Sequence, residues 1–101
     1  MSRYEVDKAI MALAHNEDPA PFEGFLTDPA GFLEGRGLTE EEHRAFMDHA
    51  VDRLYALGAQ PYILSALVRK LAVADRAAGR DSAALRYTEL IRPYGRPDYS
   101  T

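Results

Sequence analysis

The chain has 101 residues, a net charge of −4 and no cysteine. Its length fits one domain, and the lack of cysteine excludes disulfides, thiolate metal sites and a cysteine nucleophile. A pI near 5.3 argues against a nucleic-acid partner, because phosphate-backbone binders carry a basic surface. The helix-patterned start MSRYEVDKAI lacks the features of a signal peptide, and no apolar run approaches the roughly 18 residues that cross a bilayer. We therefore expect a soluble, cytoplasmic protein without a membrane partner.

Charge is distributed unevenly along the chain. Residues 1–60 contain 5 Lys or Arg and 12 Asp or Glu, whereas residues 61–101 contain 7 and 4. The first part therefore carries about −7 and the second about +3. Such an asymmetry can orient a partner protein during encounter.

The first third of the chain predicts three helices with short connections. Ser2 and Glu5 form a capping box ahead of an apolar periodic pattern, which predicts a helix over 3–14. Two Asp-Pro pairs follow, each placing proline at a first helical position, and they predict short helices at 19–26 and 28–34. The residues expected to point inward from these two helices are Phe22, Phe25, Leu26, Phe32 and Leu33.

The clearest helix signal covers residues 40–57. Thr39 and Glu42 form a second capping box, with three carboxylates at the positive end of the helix dipole. Apolar residues then recur at helical spacing on one face, so we expect one continuous helix that ends at Gly58. The residues of this face are Phe46, Met47, Ala50, Val51, Leu54 and Leu57.

A proline-initiated helix is predicted next, over about 61–78, and a glycine ends it. An Asp-Ser pair that includes Ser82 should cap a last helix over 83–91, which Pro93 prevents from continuing. The remaining residues, 93–101, are expected to be an extended C-terminal tail. Because no segment shows the alternation of a strand, we predict an all-α fold, a small orthogonal multi-helix domain with short connecting turns.

The chain offers few groups for catalysis. His43 and His49 are six residues apart on the predicted helix and so face different directions, whereas zinc ligands on one helix need a spacing of three or four. We interpret the histidines as ordinary surface or cap residues, and no serine has the context of a nucleophile elbow. An iron site of two histidines and a carboxylate would need a third ligand brought close by folding, and stays open here. We predict no catalytic and no metal-binding residue.

A helix-turn-helix DNA-binding regulator is one alternative interpretation of the two helices around residues 58–61. Base contacts come from the N-terminal residues of a recognition helix. Arg69 and Lys70 instead lie two turns into the second helix, and the preceding part of the chain is acidic. DNA binding is therefore the weaker interpretation.

Residues 32–67 read FLEGRGLTEEEHRAFMDHAVDRLYALGAQPYILSAL. This stretch resembles, without a gap, the small (alpha) subunit of protocatechuate 4,5-dioxygenase, in the LigA-type family of type II extradiol ring-cleaving dioxygenases. The shared pattern is an aromatic-Leu pair, a Leu-Thr helix cap, a helix that ends in Gly, and a Tyr followed by spaced leucines. The matching positions are Phe32, Leu33, Leu38, Thr39, Ala45, Leu54, Gly58, Tyr62, Leu64 and Leu67.

The resemblance implies a LigA-like helical domain over 1–92 that has no catalytic role of its own. In this family a larger subunit holds Fe(II) and the catalytic groups, and the small subunit packs over its active site in a hetero-oligomer. The turn between the two main helices would present helix-start amides and a phenol to that partner. The candidate partner-facing residues are Gly58, Gln60, Tyr62 and Ser65.

Two alternatives accompany the resemblance. A stand-alone LigA-like interaction protein that serves another enzyme is favoured by the altered turn, where Gly58, Ala59 and Gln60 stand in place of the Gly-Gly-Asn usual in the family. Apart from the resemblance, the amphipathic character of tyrosine favours a ring of Tyr62 packed in the core with its hydroxyl exposed.

Overall fold

The computed structural model of the chain describes residues 3–94. Within this range there is no strand, which confirms the all-α prediction, and no helix has the length and apolar character needed to cross a membrane. The helices of the described range are α1 (Arg3–Ala14), α2 (Ala20–Thr27), α3 (Pro29–Leu33), α4 (Glu40–Met47), α5 (Val51–Ala56), α6 (Pro61–Ala78) and α7 (Tyr87–Ile91), with 3₁₀ turns at Ala83–Arg86 and Arg92–Tyr94.

Local capping starts several of these helices as the sequence predicts. Thr39 Oγ1 accepts from the amide of Glu42, and the Glu42 carboxylate accepts from the amide of Thr39, which completes the capping box of α4. Asp28 Oδ1 accepts from the amide of Gly31 at the start of α3. The bounds of α1 and α6 agree with those predicted, although Ser2, the predicted cap of α1, lies outside the described residues.

The core is a single apolar cluster to which all seven α-helices of residues 3–94 contribute. Hydrogen bonds join α1 to α6 and to its cap: Lys70 Nζ donates to the carbonyl of Leu13 at 3.1 Å, and the amide of Gln60, just before α6, donates to Asp7 Oδ1 at 3.0 Å. Leu26, expected inside, is exposed on α2. The largest fully buried side chains are Val6, Ile10, Leu13, Phe25, Phe46, Val51, Leu54, Leu64, Leu67 and Leu71.

The helix predicted as continuous over 40–57 is broken into α4 and α5, so that prediction is wrong. At the break His49 has φ of +54°. Its amide donates to the carbonyl of Phe46, and the amide of Ala50 donates to the carbonyl of Ala45. This is a Schellman motif with histidine in the left-handed position usually taken by glycine. The apolar spacing continues across the break, which is why periodicity does not reveal it.

The C-terminal part also differs from the prediction. The single helix expected over 83–91 is a 3₁₀ turn followed by the short α7, and Ser82 makes no side-chain cap. Residues Arg92–Tyr94 form a second 3₁₀ turn instead of extended chain. The Tyr94 ring packs 5.6 Å from that of Tyr55, which gives this turn a contact on α5. The rest of the predicted tail lies outside the described residues.

Substitution of two glycines by alanine tests the backbone geometry at the end of one helix and inside another. Gly79 ends α6 with φ of +73°, so Gly79→Ala should lower the free energy of unfolding by about 1 kcal/mol. Gly24 lies inside α2, and an added Cβ there meets no atom within 4 Å. Gly24→Ala should therefore raise the free energy of unfolding by about 0.5 to 1 kcal/mol. Urea unfolding of both variants measures this, and changes of the same sign would contradict it.

Candidate functional site

The turn between α5 and α6, hereafter the elbow (residues 58–65), begins as the sequence predicts. Gly58 has φ of +105°. Its amide donates to the carbonyl of Tyr55 at 3.1 Å, and the amide of Ala59 donates to the carbonyl of Leu54 at 3.0 Å. These two bonds form a Schellman motif, which uses the last carbonyls of α5 and fixes the direction in which the chain leaves it.

Gln60 holds the start of α6 in place through two hydrogen bonds. Its side-chain Oε1 accepts from the amide of Ile63 at 3.0 Å, and its own amide donates to Asp7 on α1. Pro61 occupies the first helical position, where a missing amide hydrogen costs nothing. The Ile63 amide, one of the donors expected to face a partner, is therefore occupied within the chain, and that part of the expectation is wrong.

Tyr62 projects from the elbow with 48% of its surface exposed, so the alternative that packs its ring in the core is wrong. The ring centroid lies 6.3 Å from that of His15. Because a carbonyl oxygen only accepts, His15 Nε2 donates to the Ile63 oxygen 3.1 Å away. Ser65 Oγ donates to the Tyr62 carbonyl at 2.7 Å. The predicted residues Gln60, Tyr62 and Ser65 thus share the first turns of α6, while Gly58 shapes the turn before it.

A second polar cluster, which no pattern in the sequence predicts, is buried in the core. His49 Nδ1 lies 3.0 and 2.9 Å from the two carboxylate oxygens of Asp75. Ser82 Oγ donates to Asp75 Oδ2 at 2.6 Å. His49 is 3% exposed and Asp75 2%, so the interpretation of His49 as a surface residue is wrong, although it does end a helix.

These residue types are those of a catalytic triad, but their order in space is different. In a triad the imidazole stands between serine and carboxylate, so that it can take the hydroxyl proton. Here the carboxylate of Asp75 stands in the middle, and Ser82 donates to it rather than to His49. All three residues are buried. The cluster therefore acts as a structural polar network that satisfies buried groups.

Two further contacts hold the helix break next to this network. The Phe25 ring on α2 is stacked on the His49 imidazole, with centroids 5.5 Å apart. Arg80 Nη2 donates to the carbonyl of Met47 at 3.1 Å. The left-handed backbone of His49 is thus supported by α2, α6 and the segment that follows α6.

One signal in the sequence could have revealed the network. The buried face of α6 runs through Leu64, Leu67, Val68 and Leu71, and one more turn along that face places Asp75. A carboxylate at a core position is almost never fully buried without a partner. The identity of that partner could not be inferred, because His49 is 26 positions away in the chain.

Between residues 3 and 94, no group of three or more His, Asp or Glu side chains is arranged to hold a metal ion. The third ligand needed for the iron site left open by the sequence is therefore not supplied by folding within this range. Comparison with known proteins finds no match to this chain among family models, curated proteins or solved structures. The LigA-type resemblance and the partner-facing role of the elbow stay predictions.

The buried network predicts a large loss of stability on removal of its centre. Asp75→Ala leaves the His49 nitrogen and the Ser82 hydroxyl without their acceptor, so we expect the free energy of unfolding to fall by about 3 kcal/mol. Ser82→Ala removes one donor and should cost about 1 kcal/mol. Asp81→Ala is the matched control: its side chain is 80% exposed, so loss of its surface ion pair with Arg86 should change stability by only about 0.5 kcal/mol. Equal urea midpoints for Asp75→Ala and Asp81→Ala would contradict a structural role for the network.

Proposed function

We propose that this chain is the non-catalytic small subunit of a type II extradiol ring-cleaving dioxygenase, and that it caps the active site of a larger subunit that binds Fe(II). The observation that carries the proposal is the exposed Tyr62 at the start of α6, within the stretch that resembles LigA-type subunits. Exposed tyrosines are frequent anchors at protein interfaces, because the ring buries a large area and the hydroxyl still finds a polar partner.

The rigidity of the elbow supports a capping role. A subunit that closes an active site has to keep water out of it, and a surface that is already ordered loses little entropy on docking. The elbow is ordered by the Schellman motif at Gly58 and by the Gln60 cap. Two further hydrogen bonds hold it, one from the Gln60 amide to Asp7 and one from His15 to the Ile63 carbonyl. Tyr62 and Ser65 are thus presented from a fixed backbone.

The proposal assigns the reactive groups to the larger subunit. Ser82, His49 and Asp75 are buried, and the first two are hydrogen-bonded to the carboxylate of the third. In the proposed hetero-oligomer, which is cytoplasmic and includes neither nucleic acid nor membrane, this chain supplies shape and polar contacts at the mouth of the pocket. The acidic first part of the chain would help to orient the approach.

A stand-alone interaction protein that partners another enzyme is the second candidate. The observation that favours it is the use of Gln60, whose side chain caps α6 and so leaves less of the elbow for a partner. The two candidates share the docking surface and differ in the enzyme that it meets.

Reconstitution tests the first candidate. The larger dioxygenase subunit encoded nearest to this chain would be purified with and without it, and opening of the protocatechuate ring would be followed by absorbance. We expect no activity from this chain alone, a stable complex on mixing, and full ring cleavage only in the complex. Ring cleavage by this chain in isolation, or failure of the two chains to associate, would overturn the proposal.

Substitution at the elbow tests which surface is used. Tyr62→Ala should weaken association with the larger subunit about tenfold or more, as loss of a central interface tyrosine does. Tyr4→Ala is the matched control, because Tyr4 is an exposed tyrosine on α1 outside the elbow. Isothermal titration calorimetry measures both, and equal affinities for the two variants would place the interface elsewhere.

A further inference from the structure

An open apolar trough lies between α2 and α6, separate from the elbow. Its volume is about 410 Å³. The described residues that line it are Phe22 on α2 and Arg69, Lys70, Val73 and Ala74 on α6. None of these lining residues is acidic, although the chain as a whole has a net charge of −4.

Two cations border the apolar floor of the trough in different ways. Lys70 Nζ lies 5.2 Å from the centroid of the Phe22 ring and donates to the carbonyl of Leu13, so its side chain is held against the wall. Arg69 is exposed and makes no ion pair with any residue between 3 and 94. A guanidinium in this state is available for a carboxylate from another molecule.

One apolar side chain of the trough is also exposed to solvent. Val73 is 68% exposed, and it follows Arg69 by one turn of α6. Leu26, which does not line the trough, follows Phe22 by one turn of α2 and is also exposed. Apolar residues that cluster on a surface with a charged rim mark sites of association more often than isolated ones do.

We propose that this trough binds an acidic amphipathic helix of a partner protein. An apolar side chain of that helix fills the space between Phe22 and Val73, and its carboxylates pair with Arg69 and the free hydrogens of Lys70. An open trough along a helix suits an amphipathic helix, which lays its apolar face into such a groove. The positive charge at the rim selects an acidic partner over a basic one.

The trough and the elbow lie along one face of α6. Tyr62, Ser65, Arg69 and Val73 follow one another at spacings of three or four residues, and the face they form is about 16 Å long. A partner that covers Tyr62 can therefore continue into the trough. The inference deepens the proposed function, and only the identity of the partner as a dioxygenase subunit rests on it.

A defined peptide tests the inference without that subunit. The ¹⁵N-labelled full chain would be titrated with acetyl-EELFEELLEELFEEL-amide and with the peptide in which every Glu is replaced by Lys. We expect the acidic peptide to shift the amide resonances of Phe22 and of residues 69–74, and the basic peptide to bind at least about tenfold more weakly. Shifts located elsewhere, or equal affinity for both peptides, would overturn the inference.

Charge reversal locates the contact. Arg69→Glu should weaken binding of the acidic peptide about tenfold and strengthen binding of the basic one. Val73→Asp changes a residue that is already exposed. It should also weaken binding of the acidic peptide. Arg44→Glu is the control, since it makes the same charge change at an exposed position on α4 outside the trough. Equal affinities of the Arg69→Glu and Arg44→Glu variants for the acidic peptide would overturn the inference.

Two further outcomes separate the possible explanations. If sodium phenylacetate alone produces the same shifts at the same concentration as the acidic peptide, the trough is a small-molecule site and the inference is overturned. If the acidic peptide binds as expected but no dioxygenase subunit associates with the chain, the inference stands and the proposed function fails. If the dioxygenase complex forms while the peptide does not bind, the reverse holds.

Discussion

The buried carboxylate of Asp75 joins parts of the chain that no local pattern connects. It accepts hydrogen bonds from His49, between α4 and α5, and from Ser82, before the first 3₁₀ turn. A charged or polar group in the core costs several kcal/mol unless its hydrogen bonds are satisfied. The folded chain must therefore bring these donors to α6. The break between α4 and α5 places His49 beside this carboxylate, and the segment that follows α6 places Ser82 there.

The two faces of α6 have different surroundings. One face packs its leucines and Asp75 into the core, next to α1 and the C-terminal segment. The opposite face carries Tyr62, Arg69 and Val73 into solvent. Apolar contacts and the polar network hold the inner face of α6 in place, so the backbone that carries the outer face is held in place as well. Both proposed docking surfaces, the elbow and the trough, lie on this outer face.

For the proposed function, the arrangement and burial of the serine, histidine and aspartate matter more than their residue types. Serine, histidine and aspartate occur together in this chain, but the carboxylate is central and all three residues are buried. The outer face of α6 instead exposes Tyr62, Val73 and Arg69, and Arg69 has no ion pair with another residue of the described range 3–94. The proposed docking role uses only these exposed side chains and leaves the polar network inside the core.

Sequence alone determined the features that depend on neighbours within about one helical turn. The capping box at Thr39, the left-handed Gly58 and the bounds of α1 and α6 could all be predicted, because their hydrogen bonds join residues three to five positions apart. Only the tertiary structure decided the left-handed turn at His49, the burial of Asp75 with Ser82, and the exposure of Tyr62. Each of these depends on which distant segment packs against the residue: His49 and Asp75 are 26 positions apart, and the contact of His15 with the start of α6 spans 48. Helical periodicity predicts which face of a helix is apolar, but it does not predict which segment of the chain packs against that face.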